Sequence, residues 1–131
     1  MPARILVIDD NRPNLDLMTY LLKAFGHDPT GTTDSTAALE QARAERYDAI
    51  ISDILMPETD GFTLARAFKA DPQLQGTPLI AVTALAMAGD RERVLAAGFT
   101  GYISKPIDPQ TFVSEVDSFL PEELRGQNPG R

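Results

Sequence analysis

A regular alternation between short apolar runs and longer amphipathic stretches most constrains the fold of this chain. The first run, Ile5-Leu6-Val7-Ile8, has no polar residue, which is typical of a strand buried on both faces of a parallel sheet. The stretch after it has apolar residues at helical spacing, namely Leu15, Met18, Leu22 and Phe25. Gly26 stands where such a helix would end. The chain therefore begins with a strand followed by a helix.

The same pairing of strand and helix recurs along the chain. Pro29 and Gly31 weaken the segment 27–33, so any strand there is expected at an edge of the sheet. Further strands are predicted at residues 47–53, 78–83 and 101–104. Parallel strands need crossover helices on both faces of the sheet. The sequence therefore predicts an α/β fold, a doubly wound five-stranded parallel sheet with five helices.

Residues that start and stop helices give the helix boundaries. Asp34 or Ser35 can cap the second helix. The third helix begins near Gly61 and ends at Asp71-Pro72, because proline disfavours helical geometry in the residue before it. The fourth is predicted over about residues 88–97.

The last helix has the clearest predicted start. Asp108 is expected to cap it, with Pro109 in the first helical position. Its apolar stripe is Phe112, Val113, Val116, Phe119 and Leu120. One domain over residues 4–120 is predicted, followed by a flexible tail over residues 121–131 that is rich in proline and glycine.

Charge and composition exclude several classes of function. The 131 residues carry a formal net charge of −7, which argues against nucleic acid as a partner, since duplex binding depends on Lys and Arg. No stretch has the roughly 20 apolar residues of a membrane span, and no signal peptide precedes the first strand. The absence of cysteine excludes disulfides and fits a reducing compartment. We therefore expect a cytoplasmic protein that binds neither nucleic acid nor membrane.

Polar residues stand at the ends of four predicted strands. These residues are Asp9 and Asp10, Asp53, Thr83, and Lys105. In a parallel sheet the carboxyl ends of the strands lie at one edge, where ligands bind. Three carboxylates so close repel one another unless a cation is present, and oxygen donors without histidine or cysteine favour Mg²⁺ or a similar hard ion such as Mn²⁺.

A metal ion beside a carboxylate, a hydroxyl and an ammonium suits phosphoryl transfer. The charge on the phosphoryl oxygens has to be neutralised, and Mg²⁺, Thr83 and Lys105 could each contact one of them. An ionised Asp53 needs no general base, because a carboxylate forms an acyl phosphate directly. The residues thus predict a phosphoacceptor.

The motifs together resemble the receiver domain of two-component response regulators over about residues 4–120. They are Asp9-Asp10-Asn11, Asp53 followed by Met56-Pro57 and Asp60-Gly61, Ala81-Val82-Thr83-Ala84-Leu85-Ala86-Met87, and Tyr102-Ile103-Ser104-Lys105-Pro106. The residues of these motifs are most similar to those of stand-alone receivers of the DivK type and of receivers in hybrid kinases. The resemblance implies the CheY-like strand order 2-1-3-4-5.

The resemblance also implies a role for each site residue. Asp53 would be phosphorylated by a histidine kinase or a histidine phosphotransfer protein. The implied metal ligands are Asp10, Asp53 and the backbone carbonyl of Leu55, with Asp9 acting through water. The implied phosphoryl-binding and switch residues are Thr83, Ala84, Lys105 and Tyr102, with a cis peptide before Pro106. At most, the chain would phosphorylate itself from small phosphodonors and lose the phosphate slowly; it would not be an enzyme.

Two partner surfaces are expected by the same resemblance. The kinase-facing surface would lie on the first helix, around Asn11, Arg12, Leu15 and Met18. Leu85 and Met87 open the fourth helix with an apolar cluster that suits a downstream protein. The output surface would be the fourth helix, fifth strand and fifth helix.

Two departures from the family pattern concern the lifetime of the acyl phosphate. Leu55 and Leu85 stand where the family often has polar side chains that orient the attacking water. Because leucine cannot orient water, we expect a long-lived phosphorylated state.

Several of these features also have other interpretations. An acid pair after a strand is often only a helix cap, and Tyr102 could be an ordinary edge-strand aromatic. Asp48 and Asp60 are expected in turn or capping roles, and His27 is expected at the surface. A flavodoxin-like carrier would need a phosphate loop after the first strand, and a dehalogenase-type phosphatase would need Asp-x-Asp there. A receiver excised from a hybrid kinase and a phosphorylation-independent interaction module remain alternatives.

Overall fold

The computed structural model describes residues 3–54, 61–84 and 90–121. In these residues five strands alternate with five helices. The bounds are β1 Arg4–Ile8, α1 Arg12–Ala24, β2 Asp28–Thr32, α2 Ser35–Ala44, β3 Ala49–Asp53, α3 Gly61–Ala70, β4 Leu79–Thr83, α4 Asp90–Ala96, β5 Gly101–Ser104 and α5 Phe112–Asp117. The predicted alternation of strands and helices is confirmed.

All five strands form one parallel sheet in the order β2-β1-β3-β4-β5. The predicted fold class and strand order are therefore confirmed. β2 pairs only with β1, so the strand that contains Pro29 and Gly31 lies at an edge, as expected. The order reverses between β1 and β3, which is the position where ligands bind in doubly wound sheets.

The core consists of two apolar clusters, one on each face of the sheet. Alternate residues of each strand point to opposite faces. In β1, Ile5 and Val7 pack with α1 and α5, whereas Leu6 and Ile8 pack with α2, α3 and α4. The all-apolar strands are thus explained by burial on both faces. No helix in the described part of the chain is long and apolar enough to cross a membrane.

Most of the predicted helix boundaries are confirmed by capping contacts. Asp34, rather than Ser35, caps α2, and its Oδ1 accepts hydrogen bonds from the backbone N–H groups of Thr36 and Ala37. Gly26 and Gly98 follow α1 and α4 with φ of 93° and 114°, a conformation that favours glycine. The predicted start of the fourth helix at Ala88 lies outside the described residues.

The predicted start of the last helix was wrong. Asp108 accepts a hydrogen bond on Oδ1 from the Gln110 N–H, and its carbonyl accepts one from the Phe112 N–H. These contacts form a turn over residues 108–111, and α5 begins only at Phe112. The Asp-Pro pair therefore starts the turn that precedes α5, because Asp side chains stabilise turns as readily as helix caps.

The expected surface position of His27 was also wrong, since its side chain is only 1% exposed. The ring Nε2 lies 2.8 Å from Oδ1 of Asp117 on α5, and Nδ1 accepts a hydrogen bond of 3.4 Å from the Ala3 N–H. The left-handed turn at Gly26 starts the return of the chain towards the sheet, and His27 follows it directly. This histidine joins the start of β2 to α5.

Candidate functional site

Four strand ends meet at one edge of the sheet. Asp9 directly follows β1, Asp53 ends β3, Thr83 ends β4, and Lys105 directly follows β5. Asp9, Asp53 and Thr83 are buried, Lys105 is partly buried, and Asp10 is exposed. The polar residues that the sequence singled out therefore lie together, as expected.

Lys105 is held over the two buried carboxylates. Its Nζ donates a hydrogen bond of 3.0 Å to Oδ2 of Asp53 and lies 3.5 Å from Oδ2 of Asp9. Its backbone N–H donates to the Thr83 carbonyl at 2.8 Å, and the peptide bond to Pro106 is cis, as predicted. The backbone of Lys105 is thus tied to the end of β4, and its ammonium group is held by the two carboxylates.

The surroundings of Asp9 disfavour its ionised form. Its Oδ1 accepts a hydrogen bond of 2.9 Å from the Asn11 N–H, but its buried Oδ2 has no hydrogen-bond partner in the described part of the protein. Burial raises the pKa of Asp9; the charges of Asp53 and Asp10 act in the same direction, and the Asn11 hydrogen bond and Lys105 oppose them. One ammonium group does not neutralise the charges of three acids.

The acidic cluster fits a divalent metal ion. Asp9, Asp10 and Asp53 each offer one carboxylate oxygen, and these oxygens lie within 4.8 Å of one another. Hard oxygen donors of this kind suit Mg²⁺, which is usually held by one or two carboxylates and several waters. Oδ2 of Asp9, which has an ion pair with Lys105 but no hydrogen bond in the described residues, could accept one from a metal-bound water. The Leu55 carbonyl lies outside the described residues.

The predicted switch residues differ in burial. Thr83 is fully buried at the end of β4, whereas Ala84 after it is exposed. Tyr102 on β5 is partly buried, packs against the core cluster that includes Phe99, and pairs in register with Ala81. Thr83 therefore lies at the site edge, and Tyr102 lies two residues further from that edge on the neighbouring strand. The switching role of Tyr102 stays a prediction.

The four residues predicted for the kinase-facing surface differ in exposure, and the surface itself stays a prediction. Asn11 and Arg12 are exposed; Asn11 caps α1 by accepting a hydrogen bond from the Asn14 N–H. Leu15 and Met18 are buried in the core, so they are unavailable to a partner. The reason is that the helical spacing of these two residues marks the face of α1 that packs on the sheet.

Sequence reasoning missed an exposed aromatic residue on α1. Tyr20 is 70% exposed and lies on the same side of the helix as Arg12 and Asp16, at positions i, i+4 and i+8. Counting every fourth residue from the exposed Arg12, as well as the apolar spacing that marks the buried face from Leu15, would have identified it. Leu85 and Met87 lie outside the described residues, so their surface stays a prediction.

A five-stranded parallel sheet in this order, with acids, a hydroxyl and a lysine at the carboxyl edge, defines a class of signalling domain. The sequence model of the response regulator receiver domain matches residues 5–117. The chain belongs to this family.

Among curated proteins, the polar-differentiation response regulator DivK of Brucella anthropi is 39% identical over 120 residues. The alignment covers 92% of this chain and 98% of that protein. Among solved structures, chemotaxis protein CheY4 of Vibrio cholerae has a TM-score of 0.86 at 28% identity, covering 92% of this chain and all of that one.

A third similar protein bears on the metal site. The receiver domain of sensor histidine kinase PA1611 from Pseudomonas aeruginosa has a TM-score of 0.82 at 32% identity, covering 91% of this chain and 98% of that one. Its structure has a magnesium ion coordinated in the active site cleft.

Proposed function

We propose that this chain is a single-domain response regulator that accepts a phosphoryl group on Asp53 in a Mg²⁺-dependent reaction and thereby switches protein contacts. The observation that carries the proposal is the position of Lys105 Nζ, 3.0 Å from Asp53 Oδ2 and 3.5 Å from Asp9 Oδ2, an oxygen with no hydrogen-bond partner in the described part of the protein. The site has a nucleophile, one fixed cation and a place for a second cation.

Each residue of the site has a chemical task in this proposal. A carboxylate oxygen of Asp53 attacks the phosphorus of the donor, and the bond from phosphorus to the donor atom breaks. Lys105, already within hydrogen-bond distance of Asp53, then pairs with a phosphoryl oxygen. The buried hydroxyl residue Thr83 lies at the neighbouring strand end to contact another.

Magnesium would be held by Asp10 and Asp53, with Asp9 acting through water and the Leu55 carbonyl as a further ligand. When bound, the ion neutralises charge on the transferred phosphoryl group. Asp9 and Asp10 would orient the ion, and the Asn11 N–H holds the Asp9 carboxylate in place. Ala84 would offer its backbone to the phosphoryl group after Thr83.

The phosphodonor would be a histidine kinase or a histidine phosphotransfer protein in the cytoplasm. We infer that its contact lies at the exposed start of α1, at Asn11 and Arg12, next to the site edge. The downstream protein would bind the side formed by α4, β5 and α5. Tyr102 belongs to β5, and Leu85 and Met87, which precede α4 in the sequence, are predicted to belong to the same surface. Phosphorylation would shift a pre-existing equilibrium between two arrangements.

A receiver that works within a longer hybrid kinase is the second candidate. The similarity to the receiver domain of a sensor histidine kinase favours it. The alignment with nearly the full length of the DivK relative favours the single-domain proposal. In both cases the chain would be a phosphoacceptor and not an enzyme that turns over a separate substrate.

Mass spectrometry of the intact protein tests the proposal. With Mg²⁺ and acetyl phosphate, we expect one added phosphoryl group on the wild type, none on Asp53→Asn, and none when EDTA replaces Mg²⁺. An intact fold without any adduct would refute phosphorylation from small phosphodonors and favour a kinase-restricted receiver or a phosphorylation-independent interaction module.

The decay of that adduct tests the lifetime expected from Leu55 and Leu85. After removal of acetyl phosphate, we expect slow loss of the phosphoryl group. Replacing Leu55 by Asn or Leu85 by Glu should speed the loss, because a polar side chain can orient the attacking water. Fast loss from the wild type would contradict the expectation.

A further inference from the structure

Asp53 and Thr83, which would bind the phosphoryl group, each end a strand, and the next helix along the chain is α3 after Asp53 and α4 after Thr83. Phe62, the second residue of α3, comes nine positions after Asp53, and Arg93 in α4 comes ten positions after Thr83. The strands that carry Asp53 and Thr83 pair with each other in the sheet. Any contact between the two helices therefore links the same two chain segments a second time.

Arg93 and Phe62 make such a contact. The guanidinium carbon of Arg93 lies 5.2 Å from the centre of the Phe62 ring, within the range of a cation–π interaction. The ring is partly buried against the core cluster of α2, α3 and α4. Val94, next to Arg93, is buried in the same cluster, so the position of Arg93 on α4 is fixed.

We propose that Arg93 is a positioning residue, which holds α4 against the start of α3 in the unphosphorylated arrangement and so opposes the switch. In this arrangement Lys105 pairs with the Asp53 carboxylate itself, at 3.0 Å, whereas a phosphorylated Asp53 would require the lysine to pair with a phosphoryl oxygen. The inference has two halves. The first is that Arg93 holds α4 against α3; the second, that this contact opposes the switch, rests on the function proposed above.

Thermodynamic linkage gives the direction of the effect. A contact that is present in only one of two arrangements favours that arrangement, and its loss favours the other. Phosphorylation and the switch stabilise each other, so loss of the contact should also favour phosphorylation. A cation–π contact at an exposed site corresponds to an effect of about two- to fivefold on such an equilibrium.

Hydrogen exchange of the unphosphorylated protein, in EDTA, tests the first half. We expect Arg93→Ala and Phe62→Leu each to speed amide exchange in residues 90–96 by about two- to fivefold. The double variant should exchange no faster than either single one, and Arg93→Lys, which keeps the cation, should restore protection in part. Arg66→Ala, which removes an exposed arginine from α3, is the matched control for charge and should change nothing.

Additive effects in the double variant would overturn the inference, because they would show that the two side chains act independently. So would an Arg93→Ala protein that exchanges like Arg66→Ala, since Val94 alone would then hold α4.

Phosphorylation by acetyl phosphate tests the second half. At a subsaturating concentration with Mg²⁺, Arg93→Ala should reach a ratio of phosphorylated to unphosphorylated protein about two- to fivefold above the wild type and Arg66→Ala. If the wild type takes up phosphate and Arg93→Ala matches it, the positioning role is refuted. If the wild type takes up none, the proposed function fails, and the exchange experiment decides the restraint on α4 separately.

Discussion

At the residue scale, the buried carboxylate of Asp9 lowers the stability of the fold. Two consecutive acids follow β1, and only one of them is buried: Asp9 lies inside and Asp10 is exposed. The sequence predicted that both lie at the site edge. It did not predict which of them is buried, because the burial depends on the turn into α1, where the Asn11 N–H binds Asp9.

Replacing Asp9 by Asn should therefore stabilise the metal-free protein. Burial raises the pKa of Asp9, so the folded protein keeps that proton to a higher pH than the unfolded chain does. Ionisation of Asp9 consequently costs stability as pH rises above the usual pKa of an aspartate. Urea denaturation in EDTA at pH 7 should show a gain on the order of 1 kcal/mol for Asp9→Asn.

The exposed Asp10 is the control, and Asp10→Asn should change metal-free stability less. Because Asp9 is expected to hold the metal through water, Asp9→Asn should also weaken Mg²⁺ binding by about 10- to 100-fold in a calorimetric titration. A metal-free Asp9→Asn protein less stable than the wild type would contradict this account.

Arg12 tests the proposed donor surface at the same scale. It is exposed, and its ion pair with Asp16 at 3.4 Å is too exposed to stabilise α1 much. Arg12→Glu should slow phosphoryl transfer from a phosphorylated histidine kinase or phosphotransfer protein by about tenfold at low salt, because charged surface residues steer association. Phosphorylation by acetyl phosphate, measured in parallel, should not change.

Lys23→Glu is the matched control for Arg12, since it reverses a charge in the last turn of the same helix, away from the site edge. Equal slowing by both variants would show a general charge effect and would refute the donor surface.

At the element scale, the packing of the turn after α5 on the sheet depends on a missing side chain in β5. A Cβ atom at Gly101 would lie 2.3 Å from Cζ and 2.4 Å from Cε1 of Phe119. The sequence predicted the strand, but it also placed Phe119 in the apolar stripe of the last helix, whereas the helix ends at Asp117 and Phe119 lies in the turn after it. The close approach depends on how helix and strand pack, which no local pattern specifies.

Gly101→Ala should therefore destabilise the protein by about 1–3 kcal/mol, because the Phe119 ring has to shift within the core. Urea denaturation measures the loss. Adding Phe119→Leu should recover part of it by removing the ring atoms that collide. Gly76→Ala is the control, since nothing lies within 4 Å of its new Cβ and its stability should change little. An equal loss in both alanine variants would contradict the steric explanation.

A second contact between elements joins α2 to the end of α3. Arg43 Nε donates a hydrogen bond to Oδ2 of Asp71, and the Gln73 N–H donates to Oδ1. The hydrogen bond from Arg43, and to a smaller extent the one from Gln73, holds the pKa of Asp71 below its usual value. A lowered pKa in the folded state gives stability above the unfolded pKa and loses it as pH falls through the folded pKa.

Asp71→Asn should therefore be less stable than the wild type at pH 7, and the difference should shrink as pH falls to about 3. Urea denaturation across this pH range measures it. Asp28→Asn, at an exposed acid in the edge strand β2, is the matched control. A constant difference across the range would mean that the contact does not depend on the charge of Asp71.

At the scale of the whole molecule, the two edges of the sheet have different tasks. The carboxyl edge brings the site residues together, and the sequence predicted this because each polar residue stands at the end of a predicted strand. The amino edge joins distant parts of the chain through His27 and Asp117, and the sequence did not predict this. The two residues are separated by 90 positions, and a single histidine after a glycine has no local pattern that indicates its partner.

The His27 contact should therefore contribute to global stability without affecting the site. His27→Phe keeps an aromatic ring in the buried position but removes the 2.8 Å hydrogen bond to Asp117 and the acceptor for the Ala3 N–H. We expect a loss of about 1–3 kcal/mol in urea denaturation. Because the pair lies at the edge opposite Asp53, phosphorylation by acetyl phosphate should proceed as in the wild type under folding conditions.

The double variant His27→Phe/Asp117→Leu shows whether the loss comes from this pair. Replacing both partners by apolar groups removes the need for the hydrogen bond, so the double variant should regain part of the stability lost in His27→Phe. Asp117→Asn, which keeps an oxygen acceptor opposite Nε2, should lose less than His27→Phe. If His27→Phe proved as stable as the wild type, ring packing and not the hydrogen bond would join α5 to the amino edge of the sheet.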